Sequence, residues 1–306
     1  MTNTLKTQLQ HQIRKLDSIS TAPVILKPLL DMMRLPLDQI KMEKVIELIS
    51  YDAAIASQCL RLANSPLYGR RETETVRAAI MALGLERVRS MLLGLCLNQV
   101  IPQDKWVLDP NAFWRHSLGC ALVAQKMAKN IGYPEMEKAY LAGLIHDLGL
   151  LANSLLYTDK FRECFARASN SRAPLHLIEE QILGFTHCDS GQMLCEHWGL
   201  SKDLTECAAY HHAPSYQTAP PPLVCIVHLS DLLCRMRYLG YGYEEIMGVE
   251  LGGDAAWETL CINYPELGKM DLIRFTLDIE GSMEEITATV DSVFGASKMA
   301  APAGAS

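Results

Sequence analysis

A chain of 306 residues, 49% hydrophobic and 21% charged, is long enough for one large domain or two smaller ones and can bury a substantial core. Its 35 acidic residues against 28 basic ones set a formal charge of -7, and no Lys/Arg run is long enough to track a phosphate backbone, so extensive nucleic-acid binding is disfavoured. The ten cysteines fall singly with no CxxC pair, which suits reduced, buried thiols better than disulfides or a thiolate zinc site.

The segment Met1–Lys15 lacks the apolar stretch of a signal peptide, and no apolar run reaches the roughly 20 residues that span a bilayer, so a soluble, cytoplasmic protein is expected. From there onward the apolar residues recur at spacings of three and four, and prolines 23, 36, 66, 102, 110, 134, 174 and 222 separate one periodic run from the next. The predicted fold class is all-α.

In the first hundred residues, Thr75–Ser90 predicts two amphipathic helices joined at Gly84. With arginines at 77, 87 and 89 it also admits a DNA-binding helix-turn-helix, though such pairs are commoner as packing units. The loop Ile101–Pro110 is the expected boundary between an N-terminal helical subdomain (1–103) and a larger one (104–293), with a disordered tail over 294–306. Eight of the nine histidines follow that boundary, so imidazole chemistry belongs to the second part.

Asp109-Pro110 is a good helix start, and the helix it opens carries His116 on an apolar stripe with Phe113, Cys120, Val123 and Met127. Taken as one helix, Leu141–Ala152 presents His146 and Asp147 about 100° apart among leucines, so both are expected to be buried and Asp147 requires a cation, donors or a proton. His187 precedes Gly191 and Leu194 at helical spacing, and the glycine admits close approach of another helix. His211 and His212 end the helix that begins near Ser201, ahead of the irregular stretch Ala213–Pro222. His228 and Asp231 share one face of the apolar run Leu223–Leu233.

Each group also has a plain structural role open to it. A core histidine can simply bond a carbonyl, the His-His pair can serve a helix C-terminus, and Asp231 can pair with Arg235 one turn on. Together, however, the inward-facing histidines and aspartates form a nitrogen and oxygen donor set, without thiolate, for a borderline divalent ion.

The order of these residues resembles the metal-binding series of the HD phosphohydrolase superfamily, and more closely the HD-related output domain, HDOD. The strings carrying the resemblance are Gly143–Gly149, Leu183–His187, His211–Pro214 and Val227–Asp231, with Asp52–Gly69 and Arg77–Gly84 matching the family's N-terminal helices. The resemblance covers residues 18 to 240, and it implies an HD-superfamily-like helical bundle. It also implies His116, His146, Asp147 and Asp231 as ligands of one metal, with Asp147 bridging to a second ion held by His187 and by His211, His212 or both. One or two divalent ions, iron, manganese or zinc, are the expected cofactors.

Two departures bear on catalysis. Active HD phosphohydrolases often carry a lysine directly after the His-Asp-x-Gly string, and here that residue is Leu150; the Gly-Tyr-Pro signature of the cyclic-dinucleotide branch is replaced by Ala213-Pro-Ser-Tyr216, and Gly240–Tyr243 comes too late to supply it. The expected function is therefore a regulatory, signal-transducing module that meets signalling protein partners in trans, without robust catalysis. The alternative is a metal-dependent phosphohydrolase acting on a nucleotide or cyclic dinucleotide.

Overall fold

The computed structural model describes residues 2–14, 26–50, 52–69, 73–100, 102–214, 220–243, 253–268 and 272–295, and among them it contains helices and turns but no strand. In chain order the α-helices are α1 (Thr2–Arg14), α2 (Leu26–Met33), α3 (Met42–Ser50), α4 (Ala53–Ala63), α5 (Val76–Leu83), α6 (Leu85–Val100), α7 (Pro110–Ile131), α8 (Met136–Ile145) and α9 (Leu148–Leu156). They continue with α10 (Thr158–Ser171), α11 (Leu175–Ile182), α12 (His187–His197), α13 (Lys202–Tyr210), α14 (Pro222–Met236), α15 (Ala255–Asn263), α16 (Pro265–Gly268) and α17 (Leu272–Phe294). The all-α expectation holds.

Local chemistry explains the helix ends. Asp109 accepts from the amide of Asn111 with Pro110 at the first helical position of α7, and Thr186 and Asp189 form a reciprocal capping box that opens α12 directly at His187. The expected continuous helix over Leu141–Ala152 is instead two: α8 ends at Ile145, α9 begins at Leu148, and His146 and Asp147 occupy the turn between them. Apolar periodicity could not report that break, because both helices are buried over nearly all their length. By length and composition alone the span Met136–Leu156 could cross a membrane, but an 18-residue window of it is 89% buried inside the protein, as a core segment is.

The core centres on α7 and α8, with α14 and α17 laid against α7, and α9 and α13 flanking α12. Two glycines set the closest approaches. A Cβ on Gly143 would stand 2.7 Å from the Cys120 carbonyl oxygen of α7, and one on Gly149 would stand 1.8 Å from the His187 carbonyl oxygen of α12. These helices therefore meet backbone to backbone.

Packing runs across the expected boundary near residue 103. α1 lies on α12, where Lys6 pairs with Asp189 at 2.6 Å, α6 lies on α8, and α17 touches both α4 and α7. Arg115 of α7 pairs with Asp291 of α17 at 2.5 Å. The segment 296–306, expected to be a disordered tail, and 215–219 of the proline-rich stretch lie outside the described residues.

The helix-turn-helix alternative loses its basic face. Arg87 is buried against Glu137 at 2.7 Å and over the Tyr68 ring, while Arg89 is buried and donates to the carbonyls of Met32 and Leu35. Only Arg77 stays half-exposed, beside Glu43. Two of the three cations that suggested phosphate contact are thus bound inside the protein.

Candidate metal centre

The seven histidines and aspartates named from the sequence converge. His116 comes from α7, His146 and Asp147 from the α8–α9 turn, His187 from the start of α12, His211 and His212 from the turn after α13, and Asp231 from α14. All are buried except His212, which keeps only a small exposure. Asp147 is the hub: its Oδ2 lies 3.1 Å from His146 Nε2 and 3.5 Å from His116 Nε2, and its Oδ1 lies 3.2 Å from the Nε2 atoms of both His187 and His211. Asp231 stands 3.3 Å from His116 Nε2 and 3.7 Å from His212 Nδ1.

The other nitrogen of each inner ring explains this geometry. His116 Nδ1 faces the Leu239 carbonyl at 2.5 Å, His146 Nδ1 the Gly143 carbonyl at 2.8 Å, and His211 Nδ1 the carbonyls of Cys207 and Ala208, each at 3.1 Å. A carbonyl can only accept, so these nitrogens carry the proton, and in a neutral ring the inward Nε2 holds a lone pair. His187 is held in the same sense by Glu179, which takes its ring Nδ1 at 2.6 Å and its backbone amide at 2.9 Å. Glu179 is in turn fixed by Asn153, and Asn153 by Ser190.

Lone pairs aimed at carboxylate oxygens repel unless a proton or a metal ion lies between them. Among the described atoms His146 Nε2 and Asp147 Oδ1 make no hydrogen bond, which is costly for atoms so buried. The donor set, the orphaned atoms and the outer carbonyl and carboxylate partners all fit a divalent ion. Three overlapping groups can each hold one: His116, Cys120, His146 and Asp231; His146, Asp147 and His211; and His187, Cys188, His211 and His212, with ligand atoms in each group within 4.8 Å of one another.

Several residues here were not anticipated. Glu179 was legible on the Leu175–Ile178 face of α11 and was missed. Cys120 and Cys188 place thiols against a set expected to contain none, with Cys188 Sγ 4.0 Å from His211 Nε2. The Tyr241 hydroxyl donates to Asp147 Oδ2, and the Arg235 Nη2 meets Asp231 Oδ2 at 2.6 Å, so the plain pairing open to Asp231 is made alongside its contact with His116. His228 turns away from the cluster, to the His211 carbonyl and Asp254. Leu150 is fully buried.

Electrostatics follow from the same arrangement. Burial opposes the charge on Asp147, but His146, His116 and His187 prevail and hold its carboxyl well below the usual range. Burial likewise opposes protonation of His116 and His211, yet Asp147 and Asp231 raise the first to about 10, and Cys188 and Asp147 raise the second to about 10. His187 is also raised well above its ordinary value, against burial, chiefly by Glu179. His146 is lowered, because burial outweighs Asp147.

The pH dependence of the metal-free protein has a definite sign. Raised imidazoles contribute stability that is complete below 6.5, their unfolded value, and is lost as pH climbs through about 10. Cys188 runs the other way: burial pushes its thiol up, but His211 and His187 bring it down to about 6 from 9.0, so it gains stability across that interval. With three raised imidazoles against one lowered thiol, urea unfolding of chelator-treated protein is expected to show a midpoint that falls from pH 6.5 to about 10. A loaded metal reverses the slope near neutrality, because its ligands must be deprotonated.

Fold and site together define an all-α domain built round a buried His/Asp centre whose donor groups could hold divalent ions. The family model for the HDOD domain matches residues 19–214, and the chain belongs to the HDOD family. Its fold is similar to that of an HDOD domain protein of unknown function from Geobacter sulfurreducens, with a TM-score of 0.73 and 24% identity over 94% of this chain and 98% of that one. It is also similar to a Shewanella amazonensis protein named "Putative phosphohydrolase", with a TM-score of 0.66 and 19% identity over 92% of this chain and 97% of that one. An uncharacterized protein of Treponema pallidum is 22% identical over 248 residues, which is 78% of this chain and 48% of that relative, so the chain spans about half the relative's length. Asp231, Arg235 and Tyr241 lie beyond the matched segment.

Proposed function

We propose that the protein is a cytosolic HDOD signalling module whose buried His/Asp centre holds one or two divalent ions as a structural and regulatory core, and which acts by binding signalling proteins rather than by turning over a substrate. The observation that carries this reading is the sealing of the centre. Tyr241 takes an oxygen of Asp147, Arg235 takes one of Asp231, and Leu150 is packed into the core where a phosphate-binding lysine would stand. The first ion falls to His116, His146, Asp147 and Asp231, and the second to Asp147 with His187, His211 and His212. The N-terminal part, residues 1–103, and the stretch after His212 are the surfaces assigned to partners.

A metal-dependent phosphohydrolase acting on a nucleotide or cyclic dinucleotide is the second reading. It is favoured by Asp147 Oδ1, unbonded and 3.2 Å from two histidines, which suits an oxygen shared between two ions. Bound ions would supply Lewis-acid chemistry and a hydroxide nucleophile.

Metal analysis of the purified chain, joined to a panel of nucleotides and cyclic dinucleotides assayed with manganese or iron, separates the readings. The module predicts bound metal that is lost in Asp147→Ala, with no hydrolysis above that of the variant. Robust turnover that vanishes in Asp147→Ala would establish the hydrolase and overturn the module.

A further inference from the structure

Directly after His187, the capping box of α12 delivers Cys188 into the same corner of the centre as the His211-His212 turn. His187 Nε2 and His212 Nε2 are 3.1 Å apart, and Cys188 Sγ is 4.0 Å from His211 Nε2. A tetrahedron around zinc, with Zn–N of about 2.0–2.1 Å and Zn–S of about 2.3 Å, has edges of about 3.3 Å between nitrogens and about 3.6 Å between sulfur and nitrogen. These two spacings lie within a few tenths of an ångström of those edges, and all four donor atoms lie within 4.8 Å of one another.

We propose that His187, Cys188, His211 and His212 form a thiolate-bearing metal position that takes zinc or a similarly soft divalent ion. It differs from the position of His116, His146, Asp147 and Asp231, where carboxylates are the anionic ligands and Cys120 stands beside His116 as a second thiol. The inference rests on the metal-centre reading above and adds the identity of one ligand and one metal class to it.

An independent observation points into the same space. Asp147 Oδ1 is buried, makes no hydrogen bond and faces the Nε2 atoms of His187 and His211 at 3.2 Å. The rings are held ready: Glu179 fixes His187, the Cys207 and Ala208 carbonyls fix His211, and His212 stacks on His176 with centroids 4.4 Å apart and planes inclined by 19°. Three imidazoles and one thiolate favour zinc over manganese or magnesium, whose preferred ligands are carboxylate, carbonyl and water oxygens.

Cobalt(II) reports the thiolate directly, because a Co–S bond adds a near-ultraviolet charge-transfer band absent from cobalt held by nitrogen and oxygen alone. The full chain, stripped with chelator, is titrated with cobalt(II) as wild type, Cys188→Ser and Cys120→Ser, with circular dichroism confirming that each variant is folded. The expected result is a charge-transfer band that saturates with the first or second equivalent, survives Cys120→Ser, disappears in Cys188→Ser and is bleached by one equivalent of zinc. Cobalt uptake without the band, or a band that persists in Cys188→Ser, overturns the thiolate position while leaving the metal centre standing. No uptake of cobalt or zinc overturns both.

Discussion

Asp147→Asn is expected to lower the stability of the metal-free protein by about 3–5 kcal/mol at neutral pH, read from urea unfolding, and to abolish metal uptake. The substitution preserves shape, removes the charge and turns one acceptor oxygen into an NH2 donor. Four imidazoles approach this carboxylate within 3.5 Å, and three of them are held protonated against their burial in part by its field. With an amide in its place those rings either lose their protons or stay charged beside one another in the core, and both outcomes cost free energy that nothing nearby returns. Tyr241 still has an oxygen to meet, so the loss is not that of a neutral hydrogen bond. A loss below about 1 kcal/mol, the size of a single neutral hydrogen bond, would show that the rings do not depend on Asp147.

Gly149→Ala is expected to cost at least about 3 kcal/mol and to remove the metal as well, although the residue touches no ligand through a side chain. The added methyl would sit 1.8 Å from the His187 carbonyl oxygen and 2.7 Å from the Gly191 amide nitrogen. Both are backbone atoms of α12, which cannot rotate aside, so α9 must separate from α12 and draw Asp147 away from His187. Gly191→Ala is the control. Its methyl would meet the Gly149 nitrogen at 3.4 Å and the Ala208 Cβ at 3.5 Å, ordinary contact, and it should cost far less. Equal thermal shifts for the two variants would contradict the backbone-to-backbone account.

Much of this centre was legible because burial and polarity conflict in the sequence: a His-Asp pair among leucines has to be explained by something. Helical spacing brought His116, His187 and Asp231 inward, and the structure brings them to one place. What spacing could not convey was the turn at His146-Asp147, since a break inside a wholly buried segment leaves the apolar pattern unchanged. Arg235 was foreseen as a partner for Asp231, but not that the pair would close one side of the centre. Gly240–Tyr243 was weighed only as a signature that comes too late in the chain; the role of Tyr241 depends on where the chain travels after α14, which no local pattern encodes. Cys188 was passed over because paired spacing was the only signal sought for a thiolate, whereas here the thiol is recruited by its neighbour, His187.

The tie between His116 and the Leu239 carbonyl spans 123 residues, and the contact of Tyr241 with Asp147 spans 94. Both contacts join segments far apart in the chain, and neither can form before the residues beyond α14 are in place. During synthesis the His-Asp turn emerges long before the strand of chain that shuts it. Until the residues after α14 arrive, His116 lacks the Leu239 carbonyl and Asp147 lacks the Tyr241 hydroxyl. A metal ion held there would be closed in by that segment, and its exchange would require the segment to open.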